Sequence, residues 1–138
     1  MSMQIDVVSA EGQIHSGPAH TVFVEAVEGD MAIMPRHAPL LTRIRPGPVR
    51  IRQEDSSEDA QIFVSGGLLE VQPNLVTVLA DMAERAEDID EAEADKAKQR
   101  AEDAVNAAEE QSDIERAQAE LAEAAARLQM VKKIRGSR

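Results

Sequence analysis

Histidine, serine and carboxylate side chains are the groups in this sequence that could act in catalysis or bind a metal. Their spacing does not match the known motifs for either role. His15, His20 and His37 form no His-x-His or His-x-x-x-His pair of the kind that binds zinc. Ser65 lacks the Gly-x-Ser-x-Gly frame of a nucleophile elbow, and no glycine-rich loop for phosphate is present. We expect no catalytic residue, metal or cofactor, and a three-histidine metal site across a β-sandwich is the enzymatic alternative.

The charge of the chain narrows the classes of partner. Its 138 residues carry a formal net charge of -11 and include no cysteine. Such acidity disfavours binding to nucleic acid and anionic lipid, which are normally met by basic surfaces. The start of the chain lacks the basic and apolar regions of a signal peptide, and no window approaches the roughly 20 apolar residues of a membrane span. We expect a cytoplasmic protein that meets a membrane only through a partner.

Short β-type runs separated by turn residues fill the first 81 residues. They recur about every 8 to 12 residues, the spacing that is typical of a β-sandwich or flattened barrel. With two phenylalanines and no Trp or Tyr, the core must be aliphatic. The predicted runs are residues 3–7, a short run around Ile14, and residues 20–28, 31–34, 49–52, 61–64, 68–71 and 75–80.

Glycine and proline predict where these strands end. Residues 16–18 are expected to end the second strand, and residues 46–48 to form a turn. Two prolines within residues 35–39 predict an irregular course, with Leu40 and Leu41 inserted as anchors.

The run at residues 75–80 has apolar side chains on both faces. Val76, Val78 and Ala80 point one way, whereas Leu75 and Leu79 point the other, because side chains alternate along a strand. Both faces therefore need cover. We expect a second sheet on one face, and the helices that follow are candidates for the other.

After residue 85 the spacing of apolar residues changes from that of a strand to that of a helix. Asp88 and Glu91 predict a capping box, and residues 111–113 predict the start of a second helix. Apolar residues at spacings of three and four predict two antiparallel helices with matching seams. The first seam is Ala94, Ala97, Ala101, Ala104 and Ala108, and the second is Ile114, Ala117, Leu121, Ala124, Leu128 and Val131.

An alanine seam buries little apolar surface. At about 0.8 kcal/mol per buried methyl group, five alanines barely offset the entropy of ordering the helix. The sequence thus predicts a sandwich domain at residues 1–84, and a linker and mobile helical tail at residues 85–138 that undocks about a pivot at residues 82–88.

Four blocks of sequence, in order along the chain, resemble one known family. They are Ile-Asp-Val-Val-Ser-Ala-Glu at residues 5–11, Glu-Gly-Asp-Met-Ala-Ile-Met-Pro-Arg-His-Ala-Pro-Leu-Leu-Thr at 28–42, Ser-Gly-Gly-Leu-Leu-Glu-Val at 65–71 and Val-Thr-Val-Leu-Ala-Asp at 76–81. Together with the alanine-rich tail, they are similar to the epsilon subunit of bacterial F-type ATP synthase.

The resemblance implies an α+β fold, in which an antiparallel β-sandwich of about ten strands precedes an antiparallel two-helix hairpin. It implies a non-catalytic rotor subunit of the central stalk, peripheral at the cytoplasmic face of the bacterial inner membrane. Such a subunit couples the gamma subunit to the c-ring of the proton-translocating synthase. Its C-terminal helices inhibit ATP hydrolysis by leaving the sandwich and entering the catalytic alpha/beta hexamer. Leu69, Val76 and Val78, or their opposite neighbours, would then form a shelf for the folded tail.

The resemblance also assigns residues to contacts. The c-ring contact corresponds to Glu28, Gly29 and Asp30, and the gamma contact to Ser9, His37, Ala38 and Pro39. The basic end that would meet acidic surfaces of the catalytic subunits comprises Lys132, Lys133, Arg135 and Arg138. The sequence departs from the family at Ala32 and Arg36, where glycine is usual, and Arg36 is expected to strain its loop or add an ion pair.

Some family members bind ATP on the folded hairpin, which makes an ATP-sensing module the second alternative. The motif here begins Ile89, Asp90, but Glu93 replaces its arginine, and the second-helix pair reads Glu123 and Arg127. Two of three cations that would pair with phosphate are thus reversed in sign. We expect weak or absent nucleotide binding.

Overall fold

The computed structural model describes residues 2–136 and forms two compact units, Met1–Arg85 and Ala86–Arg138. The first unit is built of strands and the second of helices, so the predicted α+β fold is confirmed. The strands are β1 (Met3–Ser9), β2 (Gly12–Ala19), β3 (Thr21–Ala26), β4 (Gly29–Ile33), β5 (Leu40–Ile44), β6 (Gly47–Arg52), β7 (Ala60–Val64), β8 (Gly67–Val71), β9 (Leu75–Ala80) and β10 (Ala83–Arg85).

Nine of the ten strands follow one hydrogen-bonded path, β10-β7-β6-β3-β5-β8-β9-β1-β2, and β4 pairs with β3 off that path. The described pairings are antiparallel except for that of β1 with β9, which run parallel from the partners Gln4 and Leu75 to Val8 and Leu79. The chain therefore returns after eight strands to lie beside its own beginning.

The core of this unit is aliphatic, as its composition requires. Alternate residues of β1, β6 and β9 point inward, so that burial along these strands follows a period of two. Fully buried members are Ile5, Val7, Val22, Ile33, Val49, Ile51, Ile62, Val64, Leu69, Val71, Val76 and Val78.

Two strands extend through residues that were expected to be turns. β2 continues through Gly17 and Pro18, and β6 begins at Gly47 and includes Pro48. Pro18 is tolerated because β2 ends the strand path and pairs only with β1. Pro48 pairs with Phe63 of β7, while β3 meets β6 only from Arg50 onward. In both cases one edge of the proline residue has no strand partner, and a missing N–H on that edge is tolerated.

Leu40 and Leu41 were both predicted to be anchors, and the prediction is wrong for Leu41. Both residues belong to β5, where Leu40 packs against the core and Leu41 is 66% exposed. Adjacent residues of a strand point to opposite faces, so only one of the two can be an anchor.

The helical unit begins with a 3-10 helix (Ala86–Asp88), followed by α1 (Glu91–Ala107) and α2 (Gln111–Gly136). Asp88 is not the cap of α1. The carboxylate of Asp90 accepts a hydrogen bond from the backbone N–H of Glu93 at 3.1 Å and so caps the helix. The 3-10 turn uses Asp88 and buries Ile89, and this delays the helix by two residues.

The predicted seam of α2 is confirmed, because each of its six members is buried or half-buried. In α1 the seam differs at one position: Ala104 is exposed and Val105 is half-buried instead. Spacings of three and four still run from Ala101 through Val105 to Ala108. Ala94 is the one fully buried side chain of α1 within the described residues, so the apolar contact of this helix is small.

Five of the described residues have a positive φ, and Arg36 and Gly67 are the two that bear on packing or strain. Arg36 has a φ of 70°, unusual for a residue with a Cβ, and this fits the expected strain in its loop. Gly67 has a φ of 140° at the start of β8, where the chain passes close to β9. A Cβ at Gly67 would overlap the carbonyl oxygen of Leu79 and lie 2.9 Å from the Cα of Ala80.

Gly67→Ala is therefore expected to destabilise the strand unit by about 3 kcal/mol or more, through backbone overlap added to φ strain. Chemical denaturation followed by circular dichroism measures the loss. Gly17→Ala is the matched control, because a Cβ at Gly17 would have His15 Nε2 as its nearest neighbour, at 3.9 Å. Equal stability of the two variants would contradict the assigned role of Gly67.

Charged groups lie where β2 and β10, the two ends of the strand path, approach each other. The guanidinium of Arg85 donates a hydrogen bond to the carbonyl oxygen of Ile14 at 2.6 Å. His15 Nε2 is buried without a hydrogen-bond partner among the described residues. Burial lowers the pKa of His15, the positive charge of Arg85 lowers it further, and Asp6 opposes both.

Acidification should therefore weaken this unit through His15. A folded-state pKa below the unfolded value of about 6.5 means that the unfolded chain binds more protons. Stability is then fully present above about pH 6.5 and is lost as pH falls toward the folded-state pKa. Urea midpoints between about pH 7 and about pH 5 should fall in the unmodified chain and fall less in His15→Gln.

His20→Gln is the control. His20 contacts Thr21 Oγ1 at 2.9 Å, and its substitution leaves His15 unchanged. Asp6, whose pKa is lowered by hydrogen bonds from Gln4 and Ser16, acts only at lower pH, below about 4. The same loss of stability in His15→Gln and the unmodified chain would refute the assignment.

Candidate functional site

The predicted acidic turn lies at the tip of the β3–β4 hairpin. Glu28 and Gly29 are exposed, and Gly29 takes a φ of 141° that suits a tight hairpin turn. Asp30 follows on β4 with 76% of its side chain exposed. The three predicted residues are thus brought together on one projecting loop.

Arg45 joins this tip, which the sequence did not predict. Its guanidinium Nη2 lies 2.9 Å from Asp30 Oδ1 and 3.9 Å from Glu25 Oε1. Its backbone N–H donates to the carbonyl of Glu25 at 2.8 Å, and Val27 N–H donates to the carbonyl of Arg43 at 3.0 Å. The hairpin tip and the segment after β5 therefore form one surface with both signs of charge.

The predicted gamma-facing residues do not lie at one point. Ser9 ends β1, where its hydroxyl accepts a hydrogen bond from Glu11 N–H at 3.3 Å. His37, Ala38 and Pro39 precede β5, and His37 Nδ1 contacts the carbonyl oxygen of Ala38 at 2.7 Å. Strand register places the two groups at opposite ends of β8 and β9. His37, Ala38 and Pro39 precede Leu40, which pairs with the last residue of β8, whereas Ser9 follows Val8, which pairs with Leu79 near the end of β9.

An exposed apolar surface lies between these two ends. Leu41 of β5, Leu68 of β8 and Leu79 of β9 are 66%, 39% and 47% exposed and share the outward face of adjacent strands. We call these three leucines the apolar face. Leu68 stands between Arg43 and Leu79 in register, and Leu79 is followed by the half-buried Val8 of β1.

The apolar face could have been found from the two-faced pattern at residues 75–80. Val76, Val78 and Ala80 are buried, and the opposite side of the strand carries Leu79. Leu69, Val76 and Val78, which were candidates for an outer shelf, belong to the core instead. Because side chains alternate along a strand, the residues next to these buried positions point outward and are available to a partner.

In the helical unit, the residues of the degenerate nucleotide motif are engaged with one another. Asp90 caps α1, and Ile89 is buried. Glu93 Oε2 lies 2.8 Å from Nη1 of Arg127, whose side chain is only 17% exposed. The guanidinium of Arg127 is thus already paired with a carboxylate of the same chain.

The basic end of α2 is solvent-accessible within the described residues. Lys132, Lys133 and Arg135 are exposed. Arg135 also donates a hydrogen bond to the carbonyl oxygen of Ile89 at 2.7 Å. Arg138, the fourth predicted member, lies outside the described residues.

Two further findings limit the chemistry. The histidines occur on β2, before β3 and before β5, and residues 2–136 contain no group of three or more His, Cys, Asp or Glu placed to hold a metal. In the same part of the chain, no helix is both long and apolar enough to span a membrane.

Comparison with known proteins identifies the family. Residues 2–86 match the family model of the β-sandwich domain of the ATP synthase delta/epsilon chain, and residues 87–132 match that of its long α-helix domain. The chain is 52% identical over 135 residues to the ATP synthase epsilon chain of Thioalkalivibrio sulfidiphilus and 56% identical over 135 residues to that of Nitrosococcus oceani. Each alignment covers 98% of this chain and 96% of the relative.

Solved structures share the fold at low identity. One is a chain of the Euglena gracilis mitochondrial ATP synthase, with a TM-score of 0.73, 18% identity and coverage of 99% of this chain and 81% of that one. Another comes from the central stalk and c-ring of the Tetrahymena thermophila enzyme, with a TM-score of 0.67, 14% identity and coverage of 95% and 97%. With both of its units matched in order, the chain belongs to the ATP synthase delta/epsilon chain family.

Proposed function

We propose that this chain is a non-catalytic rotor subunit of a bacterial F-type ATP synthase, peripheral at the cytoplasmic face of the inner membrane. It couples the gamma subunit to the c-ring through residues 1–84, and its helices at residues 85–138 restrain ATP hydrolysis. Family membership supports the assembly. The observation that carries the proposal is the apolar face, because three neighbouring leucines on an ordered sheet are a surface that a partner covers.

The apolar face suits the gamma subunit. Exposed leucines held on adjacent strands lose little conformational entropy on docking, so their burial translates into affinity. Ser9 at one end of these strands and His37 at the other supply polar groups around an apolar centre, and Ala38 and Pro39 follow His37. This arrangement, an apolar centre with a polar rim, is common in stable protein interfaces.

The hairpin tip suits the c-ring. Glu28 and Asp30 project at a loop whose base is tied by backbone hydrogen bonds, so that the carboxylates are presented by a defined support. Polar loops of a membrane ring would meet such a contact with hydrogen bonds and charges. Because the contact is exposed, it contributes more to orientation than to affinity.

The helical unit suits an inhibitory role. The α1 side of its seam is largely alanine, so α1 itself loses little apolar contact when the hairpin opens. Once open, the basic end with Lys132, Lys133, Arg135 and Arg138 is available to acidic surfaces of the alpha/beta hexamer. Because the free-energy difference between the closed and open hairpin is small, a ligand or partner can shift the population from one to the other.

Binding to the gamma subunit tests the apolar face. Leu68→Asp combined with Leu79→Asp places two carboxylates on it, and affinity for purified gamma should fall by at least about tenfold, measured by calorimetry. Val27→Asp is the control, because Val27 is also exposed, at 53%, but lies on the β3–β4 hairpin. Retained binding by the double variant would overturn the assigned surface. In a complex assembled from the alpha/beta hexamer, gamma and this chain, deleting residues 86–138 should raise the ATPase rate, and an unchanged rate would remove the inhibitory role alone.

ATP binding distinguishes the proposal from a nucleotide-sensing role. Glu93 pairs with Arg127 at 2.8 Å, so a polyphosphate would have to displace a carboxylate and then face it. Titration calorimetry with Mg-ATP should show no binding at micromolar concentrations. Glu93→Arg is the matched variant, since it restores a cation at that position, and any affinity should increase in it. Micromolar affinity in the unmodified chain would contradict the prediction.

A further inference from the structure

Charged side chains join the beginning of α1 to the last turns of α2. Glu93 pairs with Arg127 at 2.8 Å, and Glu91 Oε2 lies 3.5 Å from Nη1 of Arg135. The other nitrogen of that guanidinium, Nη2, donates to the carbonyl oxygen of Ile89 at 2.7 Å. Two arginines of one helix thus hold three residues at the entrance to the other.

These contacts lie at the open end of the hairpin. The helices are connected covalently by residues 108–110, immediately after α1 and before α2. Separation of two connected helices moves their far ends most. Contacts at residues 89–93 and 127–135 are therefore the ones that must break for any substantial opening.

The apolar contact of α1 is small, so these charge contacts add measurably to the stability that the buried Leu128, Met130 and Val131 of α2 provide. Ala94 is the one fully buried side chain of α1 among the described residues, and alanine contributes one methyl group. Isolated helices of this length are marginal in water. A small charge contribution then changes the ratio of open to closed hairpins measurably.

Helix dipoles favour the same arrangement. Glu91 and Glu93 are in the first turn of α1, and Lys133 and Arg135 are in the last turn of α2. Acids stabilise the positive N-terminal end of a helix, and bases stabilise the negative C-terminal end. In an antiparallel hairpin these two ends are neighbours. Each charged side chain therefore interacts favourably with the dipole of its own helix and with the opposite charge on the other helix.

We propose that Glu91, Glu93, Arg127 and Arg135 form an interhelical clasp that makes opening of the hairpin depend on ionic strength. Low salt keeps the clasp closed. High salt screens the charges, and the helices separate without any nucleotide. The clasp is a property of the helical unit itself, independent of which partner the open tail meets.

Interhelical distance measured on the full chain tests the clasp. The native sequence has no cysteine, so Gln99→Cys and Gln129→Cys, both exposed and outside the clasp, carry two spin labels at defined positions. Pulsed electron resonance then gives the fraction of long distances. This fraction should rise roughly three- to tenfold in Glu93→Gln and in Arg127→Gln. It should also rise in the parent at about 1 M NaCl, where charges are screened beyond roughly 3 Å.

The controls separate the clasp from general effects of charge. Arg116→Gln removes an arginine of α2 that pairs within its own helix, with Asp113 at 2.9 Å, and should leave the distances unchanged. Exchanging the charges, Glu93→Arg with Arg127→Glu, should lower the open fraction below that of either single change. A fraction insensitive to both salt and Glu93→Gln, or an equal response in Arg116→Gln, would overturn the clasp. Because gamma binding does not enter this measurement, its failure would leave the proposed function untouched.

Discussion

The alternation of side chains along a strand is the constraint on which the sheet and its surface both depend. In β8 and β9 it sends Leu69, Val76 and Val78 inward to close the core, and it leaves Leu68 and Leu79 outside. A change in register by one residue would exchange the two sets. Core stability and the position of the apolar face are therefore two results of one pairing, and a shift of that pairing would change both.

Charges in this acidic chain are placed where elements meet. Arg45 links the β3–β4 tip to the segment after β5, and Arg85 links β10 to β2. Arg127 and Arg135 link α2 to the start of α1. In a protein with a net charge of -11, a few arginines thus secure the connections between elements while most acids stay in water. Arg135, one arginine of the proposed clasp, also belongs to the basic end of α2.

Local patterns were enough to predict most of the strands and both helices. The run at residues 75–80 was predicted with the bounds that β9 has, because its alternation and the Pro73-Asn74 turn agree. Errors occurred where a distant partner decides. Asp88 and Asp90 are equally good caps by sequence, and the burial of Ile89 selects the second. The Asp30–Arg45 pair joins two loops whose proximity follows only from the sheet order.

The parallel pairing of β1 with β9 also determines the order in which the chain can fold during synthesis. The first strand leaves the ribosome long before β9 exists, so one side of β1 must wait for residues 75–80. Until then the early strands expose unpaired edges that favour association with other chains. The sandwich can be completed only after β9 has left the ribosome, and by then part of the helical tail has been synthesised behind it.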